Sequence, residues 1–278
     1  MRLWPTRSGV SGSYPRIGPI LYASSVQYFV VQLVVALRWS LPYSVSGNTI
    51  SDLGNTACGA WNGRYVCSPL HDLMNWSFIV LGVTMMAGSV FIFRDLARGR
   101  AAAAGLAGMT AAGLGTVMVG LFPENSDPAL HGAGAAIPFV LGNCSLFILA
   151  FALEMPVPLR AYAFFSGSVA ILGLAAFASS HYLGLGEGGM ERVVAYPQTI
   201  FLAVIGCYLI AKNPPGRGRR RAEVPAITLR RGGLCAAALI LVRDAAQEFD
   251  IRDGNSLPAG ADEATAAPVG QRAGHRCP

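Results

Sequence analysis

Residues Gly47–Phe78 read GNTISDLGNTACGAWNGRYVCSPLHDLMNWSF, and this polar stretch lies between two long apolar segments. It holds two of the six cysteines and one of the four histidines of the chain. A segment this polar does not cross a bilayer, because its backbone and side chains would lose their water without replacement. We therefore predict an ordered cap, residues 38–69, over one end of a bundle of membrane helices.

The composition is typical of an integral membrane protein. Hydrophobic residues make up 53% of the 278-residue chain and charged residues only 13%, whereas a soluble domain carries about 25% charged residues. The apolar residues gather in runs of about twenty, the length that crosses a hydrocarbon core of about 30 Å. The sequence predicts an all-α bundle of six transmembrane helices, at about residues 17–37, 70–93, 101–122, 129–153, 161–182 and 193–211.

The basic residues predict how this bundle is oriented. With six spans, one side receives Arg2, Arg7, Arg16, Arg94, Arg98, Arg100, Arg160 and Lys212, and the other receives only Arg38, Arg64 and Arg192. Short loops rich in Lys and Arg stay in the cytoplasm, so the segment 1–16 and the C terminus are predicted to be cytoplasmic and the cap to lie outside. The net charge of +6 is explained in this way without a nucleic-acid partner.

The composition changes after residue 212. Residues 213–278 are rich in Ala, Gly and Arg and have no helical periodicity, which predicts a basic, largely disordered cytoplasmic tail. The expected location is the plasma membrane, which the chain crosses several times with membrane lipids as its partners.

Cys58 and Cys67 both fall in the cap, on the side where disulfides persist. A bridge between them would close a loop of about ten residues and stabilise the cap by about 2.5–3 kcal/mol. We predict this bridge; the alternative is a pair of unlinked thiols.

The predicted topology gathers polar residues that are distant in sequence at the cap end of the bundle. Ionisable groups at membrane depth are costly, so they usually face the bundle interior or a watery cavity. The sequence thus predicts an outward-facing polar pocket bordered by Asn48, Asp52, His71, Asn75, Glu124, His131, His181, Glu191 and Arg192. Glu191 and Arg192 are expected to form an ion pair at the start of the sixth helix.

Three interpretations of this pocket remain open. The first is a binding site for a lipid headgroup or small molecule, or a structural role in the cell envelope, where polar residues serve as helix caps and interfacial anchors. The second is a metal-dependent membrane hydrolase in which His71, His131 and His181 hold zinc, with Ser51, Asp52 or His71 as catalytic candidates. The third is a transporter, which the absence of charged residues deep in the spans disfavours.

Several separated motifs resemble those of a known family. The segments ISDLGNTACG, VCSPLHDLMN, LFPEN, LHGAGA and the later GGMER and YP resemble the bacterial and archaeal membrane family catalogued as domain of unknown function 998, over about residues 15–212. This resemblance implies a multi-helix membrane protein and no particular reaction.

A weaker similarity is to the ceramidase-like membrane hydrolases, which place Ser, Asp and His around zinc within a helical bundle. The residues that match are Ser51, Asp52, His71, His131 and His181. The pair of histidines four residues apart that is typical of that group is missing here, and the six predicted spans differ from its seven. The similarity motivates a test for zinc; whether the chain is an enzyme is left open.

The orientation is directly testable. We expect a membrane-impermeant thiol reagent to reach a cysteine substituted at His71 from the opposite side of the membrane to one substituted at Arg98, since an odd number of spans separates them. Modification of both from the same side would contradict the predicted topology and the pocket that depends on it.

Overall fold

A computed structural model describes residues 17–95 and 99–212 of the chain. The predicted cytoplasmic segment 1–16 and the predicted tail 213–278 lie outside these residues. The described part contains eight α-helices and one two-stranded sheet: α1 Ile17–Ala23, α2 Val26–Leu37, β1 Gly59–Trp61, β2 Arg64–Val66, α3 His71–Asp95, α4 Arg100–Leu121, α5 Pro128–Ile137, α6 Asn143–Ala152, α7 Val157–Ala178 and α8 Gly186–Lys212.

The prediction of an all-α bundle with six spans is confirmed. In the described residues, six segments are long and apolar enough to cross a membrane: Ile17–Leu37, His71–Phe93, Arg100–Leu121, Pro128–Ala152, Val157–Ala178 and Gly186–Lys212. Two of them begin four or more residues before the predicted start. Helix α7 starts at Val157 and α8 starts at Gly186, against predicted starts at 161 and 193.

Two spans are interrupted helices. The first breaks at Ser24 and Ser25 between α1 and α2, where the Ser24 hydroxyl donates to the carbonyl of Leu21 at 2.7 Å. Paired serines are a recognised cause of such kinks. The fourth span contains a π-helical turn, Pro138–Gly142, because Pro138 has no N–H to continue the regular ladder.

Helix α4 lies at the centre of the bundle because its small residues let three helices approach it. A Cβ on Gly113 would lie 2.6 Å from the carbonyl oxygen of Gly82 in α3. A Cβ on Gly105 would meet Leu149 of α6 at 2.7 Å, and one on Gly115 would meet the Gly134 carbonyl of α5 at 2.5 Å. Close backbone approach of this kind is how helices associate where lipid provides no hydrophobic drive.

The cap is an ordered structure with a β-hairpin and a short helical turn. The strands pair antiparallel, with Trp61 opposite Arg64, around the turn residues Asn62 and Gly63, which both have positive φ. An Asn-Gly pair in this conformation matches the twist of a two-residue hairpin. The predicted disulfide between Cys58 and Cys67 is present and joins the two ends of the hairpin. A 3₁₀ turn, Ser51–Gly54, lies against the bundle.

The early start of α8 depends on a close contact with the cap. The Gly188 N–H donates to the carbonyl of Ser46 at 2.9 Å, and a Cβ on Gly188 would lie 2.0 Å from the Asn48 carbonyl oxygen. Only glycine leaves room for this approach. The segment GLGEGGMER, residues 184–192, which lies between the predicted fifth and sixth spans, is therefore mostly helical.

The contact between α3 and α4 gives a stability prediction. We expect Gly113→Ala to lower the thermal stability of the detergent-purified protein by about 1–3 kcal/mol, as for other overpacked positions. Gly132→Ala in α5 is the matched control, since nothing lies within 4 Å of a Cβ there, and it should be neutral or stabilising by up to about 1 kcal/mol. Equal melting temperatures for the two variants would contradict the packing described here.

Candidate functional site

At the core of the cap, the buried carboxylate of Asp52 is bound by the guanidinium group of Arg64. Asp52 is fully buried, and Arg64 in β2 donates to it through Nε at 2.6 Å and Nη2 at 3.0 Å. The second arginine amino group, Nη1, donates to Glu187 of α8 at 2.5 Å. Asp52 also accepts from the Thr49 N–H at 3.0 Å and the Asn48 amide at 3.1 Å. A bidentate pair with these extra bonds compensates a charge that burial would otherwise make very costly.

A second group of contacts joins the cap to α8 and α5. The Glu191 carboxyl accepts a hydrogen bond from the Ile50 N–H and lies 3.2 Å from the Ser51 hydroxyl. On the other side of Ser51, Nε2 of His131 lies 2.9 Å from the same hydroxyl oxygen, and Nδ1 of His131 lies 2.9 Å from the Phe122 carbonyl. Glu191, Ser51 and His131 thus form one continuous chain, which we call the Glu–Ser–His chain.

Arg192 fastens the cap backbone to α8 and does not pair with Glu191. Its Nη1 donates to the carbonyls of Val45, Asn48 and Gly188 at 2.8–2.9 Å, and its Nη2 donates to the Tyr43 hydroxyl at 2.5 Å. The expected ion pair between Glu191 and Arg192 is not among the ion pairs of the described residues. Adjacent residues of a helix point in different directions, so each contacts a different part of the cap.

Glu124, in the turn between α4 and α5, is a second acidic residue near Asp52 of the cap. Burial raises the pKa of its carboxyl to about 9, and a hydrogen bond with Asp52 and the negative charge of Asp52 act in the same direction. A carboxyl with a pKa this high is neutral at pH 7, which avoids two ionised carboxylates side by side. The same turn is held by Asn125, which exchanges hydrogen bonds of 3.1 Å with the backbone and hydroxyl of Thr56.

The structure brings together most of the residues predicted to border a pocket, and it separates two of them. Asn75 donates to the Gly54 carbonyl at 2.9 Å, so it joins Asn48, Asp52, Glu124, His131, Glu191 and Arg192 around the cap. His71 is the first residue of α3, and its Nδ1 lies 2.9 Å from the carbonyl of Ser68, three residues earlier in the chain. His181 is exposed, and its Nδ1 lies 2.7 Å from the Ser179 carbonyl.

The three histidines proposed as zinc ligands therefore do not converge. His131 contacts Ser51 while His71 and His181 contact neighbouring backbone carbonyls. Within residues 17–95 and 99–212, no group of three or more His, Cys, Asp and Glu side chains has an arrangement that could hold a metal ion. Of the catalytic candidates, Ser51 contacts His131 directly, Asp52 is occupied by Arg64, and His71 lies apart.

The gathered polar residues bind mainly one another, so the space beside them is small. A cavity of about 40 Å³ lies beneath the cap and is lined by Ser51, Glu191, Thr116, Gln198 and Thr199 together with apolar side chains of the bundle. Pockets for small organic ligands measure about 300–1,000 Å³. A groove of about 760 Å³ lies elsewhere, between α7 and α8, and Arg192, Tyr162 and Tyr196 are among its lining residues.

Sequence reasoning missed the roles of Arg64, Glu187 and Tyr43. Arg64 was used only to predict orientation, although it is the one arginine of the segment between the two bridged cysteines. The Asn62–Gly63 turn signal just before it would have placed it on a hairpin strand. Tyr43 carried no signal, because its hydroxyl finds Arg192 only after residues far apart in the sequence are packed together.

Comparison with known proteins gives a family without an activity. The model of a family described as "Protein of unknown function (DUF998)" matches residues 22–208, which include the cap and all six spans in large part. No curated protein and no solved structure matches the chain.

Glu124 gives the site a pH dependence. Because its folded-state pKa of about 9 lies above the ordinary value of 4.5, its stabilising contribution is complete below pH 4.5 and is lost as the pH rises through about 9. We expect the melting temperature of the wild type to fall as the pH rises from 4.5 to about 9. The melting temperature of Glu124→Gln, whose side chain stays neutral, should fall less over the same range. Glu154→Gln, at an exposed position, is the control and should follow the wild type; equal slopes for all three proteins would contradict the assignment.

Proposed function

The chain belongs to the DUF998 family, and we propose that it binds a membrane phospholipid, with an acyl chain lying in the groove between α7 and α8. The observation that carries this proposal is the groove itself. Its volume of about 760 Å³ falls within the range of ligand pockets. Its walls include Phe165 and Val169, which are 65% and 54% exposed. In a helix that spans a membrane, such residues face lipid.

The shape of the groove suits an elongated apolar ligand. On α7 its lining runs from Pro158 to Val169, which corresponds to about 16 Å of helix axis. On α8 it includes Gly189, which has no side chain to fill the space, and Pro197. Tyr162 donates to the Pro197 carbonyl at 3.1 Å, so this backbone oxygen is satisfied without closing the groove.

Arg192 supports an anionic headgroup at the cap end. Of the residues that line the groove on α8, Gly189 and Arg192 are nearest the cap. The hydrogen bonds of Arg192 go to three backbone carbonyls and the Tyr43 hydroxyl, all of them neutral acceptors. Its positive charge is therefore not cancelled by a directly bonded carboxylate, and the field it leaves at the groove favours a lipid phosphate over a neutral headgroup.

We place the cap on the extracytoplasmic side of a plasma membrane. Two features support this orientation: the disulfide between Cys58 and Cys67, which persists in oxidising compartments, and the excess of arginine predicted for the opposite side. The lipid headgroup would then belong to the outer face of the membrane.

Binding can be measured by native mass spectrometry of the full chain released from nanodiscs that contain phosphatidylglycerol and phosphatidylcholine in equal amounts. We expect the wild type to retain phosphatidylglycerol preferentially and Val169→Trp, which fills the groove, to retain at least tenfold less. Leu172→Trp is the matched control, since Leu172 is 72% exposed on the same helix and does not line the groove.

Two outcomes would contradict the proposal separately. Equal lipid retention by Val169→Trp and Leu172→Trp would remove the groove as the binding site. Equal retention of the two lipids by the wild type would remove the role of Arg192 in selecting the headgroup.

A further inference from the structure

We propose that the Glu–Ser–His chain is a proton-binding site, in which Glu191, Ser51 and His131 together hold one proton more than an ionised carboxylate and a neutral imidazole would carry. The inference goes beyond lipid binding and does not depend on it. It rests on the hydrogen-bond donors and acceptors of three contacts: His131 with the Phe122 carbonyl, His131 with Ser51, and Ser51 with Glu191.

The first contact fixes one hydrogen on the imidazole. Nδ1 of His131 lies 2.9 Å from the carbonyl oxygen of Phe122, and a carbonyl oxygen can only accept. Nδ1 therefore carries a hydrogen and donates it. If the imidazole is neutral, Nε2 has no hydrogen and must accept from the Ser51 hydroxyl, 2.9 Å away.

The second contact then requires another hydrogen. Ser51 has a single hydroxyl hydrogen, and when it points to His131 none remains between Ser51 Oγ and Glu191 Oε1, which are 3.2 Å apart. Glu191 must in that case be protonated and donate to Ser51. If instead Ser51 donates to an ionised Glu191, then Nε2 must donate to Ser51 and His131 is an imidazolium. Both arrangements contain the same additional proton.

The two arrangements interconvert by a concerted transfer along the chain. The O–H bond of Glu191 breaks as an O–H bond forms on Ser51 Oγ, while the original O–H bond of Ser51 breaks as an N–H bond forms on Nε2 of His131. No atom or electron is gained or lost. The net charge of the three side chains is zero before and after, whereas loss of the proton would leave these buried side chains with a net negative charge.

The neighbouring charged groups balance these two forms against each other. Arg192, beside Glu191 in α8, favours the ionised carboxylate, and Asp52 in the cap opposes it. Glu124 in the α4–α5 turn also lies within electrostatic reach of Glu191, and Arg64 in β2 lies near Glu124. From α2 and the rest of the cap, the hydroxyl groups of Tyr28 and Tyr43 lie near Glu191, as does that of Tyr196 in α8.

The cavity beneath the cap borders the site on the side of the bundle interior. Ser51 and Glu191 both line it, as does Gln198, and Gln198 Oε1 is buried and has no hydrogen-bond partner among the described residues. A cavity of about 40 Å³ has room for about two or three water molecules. Water that enters this space would reach Ser51 and Glu191 directly and could exchange a proton with them.

The proton count can be measured in the full chain in nanodiscs. Glu124→Gln serves as the background, because Glu124 is a second buried acid near the site. Infrared spectroscopy reports a protonated Glu191 as a carboxyl C=O band that is lost in Glu191→Gln. Nitrogen NMR of histidine-labelled protein reports the charge of His131, which is identified by the loss of its signals in His131→Gln.

At neutral pH we expect the protonated fraction of Glu191 and the imidazolium fraction of His131 to add up to one. In Glu191→Gln we expect His131 to be neutral, since the amide donates to Ser51 as the protonated acid does and the Ile50 N–H keeps its acceptor. An ionised Glu191 beside a neutral His131 in the background protein would overturn the proposal, as would protonation of both.

Ser51 provides a test that does not require a change at either titrating residue. In Ser51→Thr, which keeps the hydroxyl, the infrared band of Glu191 and the nitrogen signals of His131 should change over the same pH range. In Ser51→Ala they should change independently, because the chain is broken. Coupled titration in Ser51→Ala would show that the proton is not shared through the hydroxyl and would also overturn the proposal.

Discussion

The hydrogen bonds from α8 to the backbone of the cap are the constraint on which the rest of this structure depends. Glu191 accepts from the Ile50 N–H, and Arg192 donates to the carbonyls of Val45 and Asn48. A polar segment at the edge of a bilayer must satisfy its backbone within the protein or in water. Two adjacent residues of one helix supply an acceptor and a donor, and the 3₁₀ turn that carries Ser51 and Asp52 is held in place between them.

This arrangement explains why the polar residues form a closed network and not an open pocket. Asp52 is occupied by Arg64, Asn48 and Thr49, and Ser51 is occupied by its two neighbours in the Glu–Ser–His chain. Little space remains beside them. The room for a large ligand lies on the other side of α8, against α7. Helix α8 thus separates the compact site proposed to hold a proton from the groove proposed to hold a lipid.

Much of the fold could be predicted from the sequence, because the length of an apolar run and a pair of cysteines in a short polar segment each have a direct physical meaning. The gathering of Asp52, His131 and Glu191 at one end also followed from alternating spans. The positions of His71 and His181 could not be predicted, since the ring of each lies beside a backbone carbonyl two or three residues away in the sequence. The helical start of α8 was hidden because Gly188 suggested flexibility, while its actual role is close contact with Asn48.

The attachments of the cap have a mechanical consequence. The hydrogen bonds described above fasten it to α3 through Asn75, to the α4–α5 turn through Asn125, to α5 through His131 and to α8 through Glu191 and Arg192. The cap therefore acts as a brace that holds these helix ends at fixed spacing. Helix α7 is not among the helices that these bonds fasten, so the wall of the groove that α7 forms is held by its packing and by the Tyr162–Pro197 hydrogen bond, and not by the cap.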